Sequence, residues 1–196
     1  MGHLPTIDKE RRVSGIMNRT GNGYFDDIEH IVGGVTSVDT HTTPWFAWIW
    51  DRHCPPRAES VIVDPFARNC TWGTITNDID PTTQADYHYD ALEFLGMMKT
   101  NSVNAVIFDP PFSVRQANEK YEAGRNVYTI PGYVKNCMKE IVRILRPGGI
   151  LVKCGWNSTR HNLQLEPVAL YVVNTGGNHN DISISIWRIG NERLDV

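Results

Sequence analysis

Asp109-Pro110-Pro111-Phe112 is the tetrapeptide with the most chemical content in the chain. Two consecutive prolines fix φ at both positions and remove both backbone donors, so the Pro110 carbonyl stands as a rigid acceptor beside the Asp109 carboxylate. Two acceptors next to an aromatic face suit a planar exocyclic amine. Gripped by both hydrogens, such an amine becomes more pyramidal, and its lone pair can attack a methyl group in line. This is catalysis by positioning and electrostatics, with no strong base at the outset. The competing reading is a plain Asp-Pro-Pro turn leaving a strand.

The surrounding pattern argues for a site. Short β-branched runs at 60–63, 73–77 and 105–108, and a short tyrosine-bearing stretch at 85–89 also read as a strand, end at Asp64, Asp78, Asp109 and Asp90 respectively. In open α/β sheets ligands sit beyond the carboxyl ends of the strands, so the four aspartates are expected along one edge. Further strands are predicted at 150–154, 168–173 and 182–189, the last two as an antiparallel pair around Gly176-Gly177. Thr42-Thr43-Pro44 opens a helix over 45–52. Val134, Met138, Ile141, Val142 and Leu145 recur at helical spacing, and Arg146-Pro147-Gly148-Gly149 stops that helix. Residues 1–40 read as an irregular leader with one short helix around Phe25–Val32. Tryptophans 45, 48 and 50 are read as packing. The prediction is one α/β domain over 1–196, Rossmann-like, with a mostly parallel seven-stranded sheet and an antiparallel C-terminal strand.

Bulk properties exclude several classes. At 196 residues, 41% hydrophobic and 21% charged, the chain matches an ordinary globular domain. It has no apolar run near the roughly 18 residues of a membrane helix, and the polar start over 1–12 is not a secretory signal. Cys54, Cys70, Cys137 and Cys154 form no Cys-x-x-Cys pair, so no metal is expected, and reduced thiols fit a cytoplasmic location. A formal charge of −3 confines any nucleic-acid contact to a local patch.

Taken together, Val61-Ile62-Val63-Asp64-Pro65-Phe66-Ala67, Asn77-Asp78-Ile79-Asp80-Pro81, Asp90-Ala91-Leu92-Glu93-Phe94-Leu95 and Asp109-Pro110-Pro111-Phe112 resemble the ordered motifs of class I S-adenosylmethionine-dependent methyltransferases. The DNA amino-methyltransferases are the nearest type. With Asp64-Pro65-Phe66-Ala67-Arg68-Asn69 and Gly155-Trp156-Asn157-Ser158, the chain is similar to a group of small phage- and prophage-encoded adenine-methyltransferase-like proteins. The resemblance covers about residues 60–156. It implies S-adenosylmethionine as cofactor, with Asp64 near its methionine ammonium, Asp78 on the ribose hydroxyls and Asp90 on the adenine amine. Phe66 becomes an apolar wall, Pro65, Ala67 and Ala91 line the same site, and Asp80 caps a turn. It implies methylation of adenine N6 in DNA, with a duplex base flipped onto Phe112.

Two features depart from that pattern. Arg68-Asn69-Cys70 stands where the family carries glycines, and the span from Asp64 to Asp78 is short for a strand–helix–strand unit. The first helix is therefore expected to be stunted or missing. The sizeable insertion, 113–131, mixes Arg115, Lys120 and Arg125 with Tyr121 and Tyr128, a composition that suits phosphates and unstacked bases. A loop this size reads few bases, so weak sequence preference or a single-stranded substrate is expected. Asn157 is assigned to substrate or to bracing the Asp-Pro-Pro loop. Methylation of an RNA base or a protein glutamine amide, and a non-catalytic nucleotide- or partner-binding module, remain open alternatives.

Overall fold

The computed structural model describes Phe25, residues 28–32, Thr40, and residues 43–111, 130–155, 158, 162, 164–174 and 181–190. In chain order the elements are β1 (Ile28–Val32), α1 (Pro44–His53), β2 (Ile62–Asp64), β3 (Ile75–Thr76), α2 (Ala91–Met97), β4 (Val103–Phe108), α3 (Tyr133–Ile144), β5 (Leu145–Gly155), β6 (Leu165–Asn174) and β7 (Ile182–Ile189). The strands form one seven-stranded sheet in the order β1-β6-β7-β5-β4-β2-β3. All neighbours are parallel except at β7, which runs against both β5 and β6. This is the Rossmann-like class I methyltransferase fold.

Side-chain alternation along the strands builds two apolar layers. Val63, Val106, Phe108 and Leu151 meet Phe94 and Leu95 of α2 and Cys137, Met138 and Ile141 of α3. Ile62, Ala105, Ile107, Val152 and Cys154 meet Phe46, Ile49 and Trp50 of α1 on the other face. The central strands β4 and β5 are covered on both sides, which is why they read as nearly unbroken apolar runs. Helix α1 begins as expected, with Pro44 in its first turn after Thr43, and ends where Cys54 N–H reaches the Trp50 carbonyl at 2.8 Å. Trp45 and Trp50 are buried, and Trp48 packs edge-on against Tyr171 at 5.8 Å.

Two expectations are corrected. The segment expected as a helix near Phe25–Val32 is strand β1, paired in parallel with β6 from Ile28–Leu170 to Val32–Asn174. Its β-branched Ile28, Ile31 and Val32 gain more from the open edge of the sheet than from an isolated helical turn. The strand expected at 85–89 reduces to a single bridge between Asn77 and Tyr87. There Asp86 and Tyr89 bond to side chains of Thr76 and Asn77 instead of extending a ladder. The sheet still has seven strands, with β1 as the seventh. Between β2 and β3 the chain makes turns and no helix, as the short spacing requires.

Candidate active site

The order of the sheet fixes where a ligand can sit. From β2 the chain steps outward to β3, then returns to place β4 on the other side of β2 and β5 beyond it. The direction of winding reverses between β2 and β4, and such a switch point opens a crevice past the carboxyl ends of the two strands. Asp64-Pro65-Phe66 leaves β2 there and Asp109-Pro110-Pro111 leaves β4 beside it. The pair Val63–Val106 sets the register. The rings of Phe66 and Phe108 pack edge to face at 5.5 Å across the two strands.

On the α1 face, Asp64 and Asp109 both border the buried thiol of Cys154. Burial pushes that thiol upward, and the two carboxylates add to the effect. Asp64 is fully buried, and its Oδ1 accepts the Phe66 N–H at 3.1 Å, closing a tight Asx turn that turns the chain out of β2. Gly73 packs against it from behind: a Cβ there would stand 3.0 Å from the Asp64 Cβ and 3.2 Å from the Ile75 carbonyl.

The loop 65–70 is held by buried polar side chains. Asn77, fully buried, donates through Nδ2 to the Pro65 carbonyl at 3.2 Å and the Tyr89 carbonyl at 3.0 Å, and accepts the Tyr89 N–H at 2.9 Å. Its own carbonyl accepts the Ala67 N–H at 2.9 Å. Asp78, 1% exposed, accepts the Arg68 N–H on Oδ2 and the Asp80 N–H on Oδ1, both at 3.0 Å. Its burial raises its pKa, partly offset by those two donors. Arg68 adopts φ +51°, a left-handed conformation that usually falls to glycine. Asp80 caps the next turn through Thr82 N–H and Oγ1, and those two bonds lower its pKa.

Asp90 is the N-cap of α2, accepting the Leu92 N–H at 3.0 Å, and Ala91 behind it is buried. The candidates Asp64, Pro65, Phe66, Ala67, Asp78 and Asp90 therefore follow one continuous braced stretch, and Asp109, Pro110 and Pro111 follow the neighbouring strand β4. Phe112, Arg115, Lys120, Arg125 and Asn157 lie outside the described residues. Asn77, Gly73 and Tyr133, whose hydroxyl donates to Asp90 Oδ1 at 2.8 Å, complete the arrangement; of the three, only Tyr133 leaves a signal in the sequence, on the apolar stripe of α3. Among the described residues no group of three or more His, Cys, Asp or Glu side chains could hold a metal ion.

No protein-family model and no curated protein matches this chain. Among solved structures, it is similar to yhhF from Escherichia coli, provisionally named a methyltransferase. That likeness has a TM-score of 0.53 and 10% identity over 82% of this chain and 92% of the other. PH0851 gives a TM-score of 0.46 and 11% identity over 78% of this chain and 50% of that one. TTHA0409 from Thermus thermophilus, provisionally named a DNA modification methylase, gives 0.36 and 18% over 54% of each chain. The likeness to yhhF, at 10% identity, establishes the shared fold, a Rossmann-like sheet of the class I methyltransferase kind.

Proposed function

We propose that this protein transfers a methyl group from S-adenosylmethionine to an exocyclic amino nitrogen, with adenine N6 in DNA as the target. The observation that carries the reading is that Asp109-Pro110-Pro111 and the braced Asp64–Ala67 turn leave neighbouring parallel strands at a switch point of the sheet. The donor set fits the cofactor: carboxylates end β2 and begin α2, an aromatic wall stands at Phe66, and no metal cluster is needed. Asp64, Pro65, Phe66, Ala67, Asp78, Asp90 and Ala91 are assigned to it, and when bound it supplies an electrophilic methyl group on a sulfonium. Asp109 and the Pro110 carbonyl orient the acceptor amine by taking one hydrogen each, with Phe112 stacking on its ring. Arg115, Lys120, Arg125 and Asn157 are assigned to the substrate.

Asp109→Ala leaves the cofactor residues untouched, so calorimetric affinity for S-adenosylmethionine is expected to stay near wild type. Single-turnover methyl transfer to an adenine-containing oligonucleotide is expected to fall by about 10²–10³, the usual cost of losing one preorganised electrostatic contact. Near-wild-type turnover in that variant would return the motif to a simple turn. Activity on RNA or on a glutamine peptide, but not on DNA, would keep the chemistry and move the target. A second reading is a binding module without turnover. It is favoured by Asp78, whose oxygens already serve two backbone donors. Cofactor binding without transfer to any amine would establish that reading instead.

A further inference from the structure

Asp90 is held by more than its helix. Its Oδ1 accepts the Leu92 N–H, which alone would complete the cap, and also the Tyr133 hydroxyl at 2.8 Å from the start of α3. The Leu92 N–H lies 3.3 Å from that same hydroxyl, so the three groups form a closed triangle. Tyr133 is 5% exposed and packed with Cys137 and Met138 in the apolar layer. Its burial and its bond to Asp90 push its pKa upward, so the hydroxyl remains a donor at any working pH. Cys137 beside it is pushed up to about 12 by burial, with the Asp90 charge adding to the effect, and stays a thiol.

Two donors on one oxygen fix the plane of a carboxylate. Among the described residues no hydrogen bond reaches Oδ2 of Asp90. An ionised carboxylate is an acceptor only, so a fixed second oxygen matches a donor such as a 6-amino group and opposes an acceptor such as a 6-oxo group. The recognising group here is the side chain, not the amides of the short helix it caps. We infer that Tyr133 is a positioning residue that makes Asp90 selective for a 6-aminopurine over a 6-oxopurine. The inference rests on the assignment of Asp90 to the adenine of the cofactor.

The test is titration calorimetry with S-adenosylhomocysteine and S-inosylhomocysteine on the full chain, alongside thermal melting of each variant. Wild type is expected to prefer the adenosyl compound by tenfold or more. Tyr133→Phe keeps the ring in the core, so affinity for the inosyl compound is expected to stay within about twofold while the adenosyl preference falls at least fivefold. A purely structural role would weaken both ligands alike and leave the ratio unmoved, which would overturn the proposal. Asp90→Asn provides the second arm. Tyr133 and Leu92 should direct the amide oxygen to the Oδ1 position, leaving NH₂ in place of Oδ2, so the preference is expected to invert toward the inosyl compound. With only the Leu92 N–H left to direct the amide, the inversion should shrink in the Asp90→Asn, Tyr133→Phe double variant, and its absence in the single variant would also overturn the proposal. Wild type binding both compounds equally would remove Asp90 from the adenine while keeping the cofactor class. Wild type binding neither would overturn the cofactor reading itself.

Discussion

Replacing Lys153 by methionine is expected to stabilise the protein at neutral pH, by an amount that depends on pH. Lys153 sits on β5 in register with Phe108 of β4 and Ser185 of β7, and is 6% exposed. Burial lowers its pKa from 10.5 to about 8, the nearby Cys154 opposing the shift. Below pH 8 both folded and unfolded chains carry the proton, so the buried charge costs the folded state a constant net amount. Between pH 8 and 10.5 the folded state has released the proton and the unfolded state has not, so stability rises with pH over that window. At about 1.4 kcal/mol per pH unit the interval amounts to about 3 kcal/mol.

Methionine is close in volume and carries no charge, so the substitution removes that cost without opening a cavity. Denaturant unfolding of both proteins at pH 7, 8, 9 and 10 measures it. The methionine variant should be more stable by about 3 kcal/mol at pH 7, with the gap narrowing by about 1.4 kcal/mol per unit above pH 8. A gap that is the same at pH 7 and pH 10 would refute the reasoning. So would a less stable variant at pH 7, because the ammonium would then be held by attraction that outweighs its desolvation.

Two further outcomes concern the loop after β2. Asn77→Ala removes one buried and two partly buried hydrogen bonds, including those to the Pro65 and Tyr89 carbonyls, so unfolding free energy is expected to fall by about 3 kcal/mol, read by denaturant titration. A loss under about 1 kcal/mol would mean that water replaces the amide. Arg68→Gly and Arg68→Ala both delete the side chain, but only alanine keeps a Cβ at φ +51°. The glycine variant should be the more stable of the two by about 1 kcal/mol in thermal or chemical unfolding, and equal stability would show that this backbone conformation is not strained.

What can be read from the sequence follows from how local each cause is. β4 and β5 are visible because strands covered on both faces become apolar runs, and α1 because Thr43-Pro44 marks a helix start in one short stretch. α3 declares itself through Met138, Ile141 and Val142 on one face. β1 resembles a helix in sequence because Ile28–Val32 is short and its partner, β6, comes late in the chain, so only tertiary pairing makes it a strand. The 85–89 run has strand composition, but its backbone groups find the Asn77 and Thr76 side chains before they find a ladder. At the site, Asp64, Asp78, Asp90 and Asp109 stand out because each closes a short stretch expected as a strand. Asn77 is inconspicuous beside Asp78 because its three bonds reach two segments that meet only in the fold. Tyr133 carries a signal that could have found it. It shares the helical stripe with Cys137 and Met138, and a tyrosine on a buried stripe needs a partner for its hydroxyl.

The missing glycines after Asp64-Pro65-Phe66 have a physical replacement, and it bears on whether the crevice can hold a ligand. A glycine-rich turn gives a ligand close access to backbone, and a following helix anchors that turn. Here no helix follows β2, and two buried side chains anchor the turn instead: Asn77 at the Pro65 carbonyl, and Asp78 at the Arg68 N–H. Asn69 adds a third tie by accepting the Gln84 N–H at 2.9 Å. Arg68 takes a left-handed conformation that usually falls to glycine. Gly73 lets the chain pack tightly against Asp64. A turn that had merely drifted out of use would have no reason to retain a left-handed arginine held by a buried carboxylate. Such strain persists where the surroundings over-determine it, as they do at binding sites. The departure from the glycine pattern is therefore an argument about how the turn is held, and it does not count against a ligand at the switch point between β2 and β4.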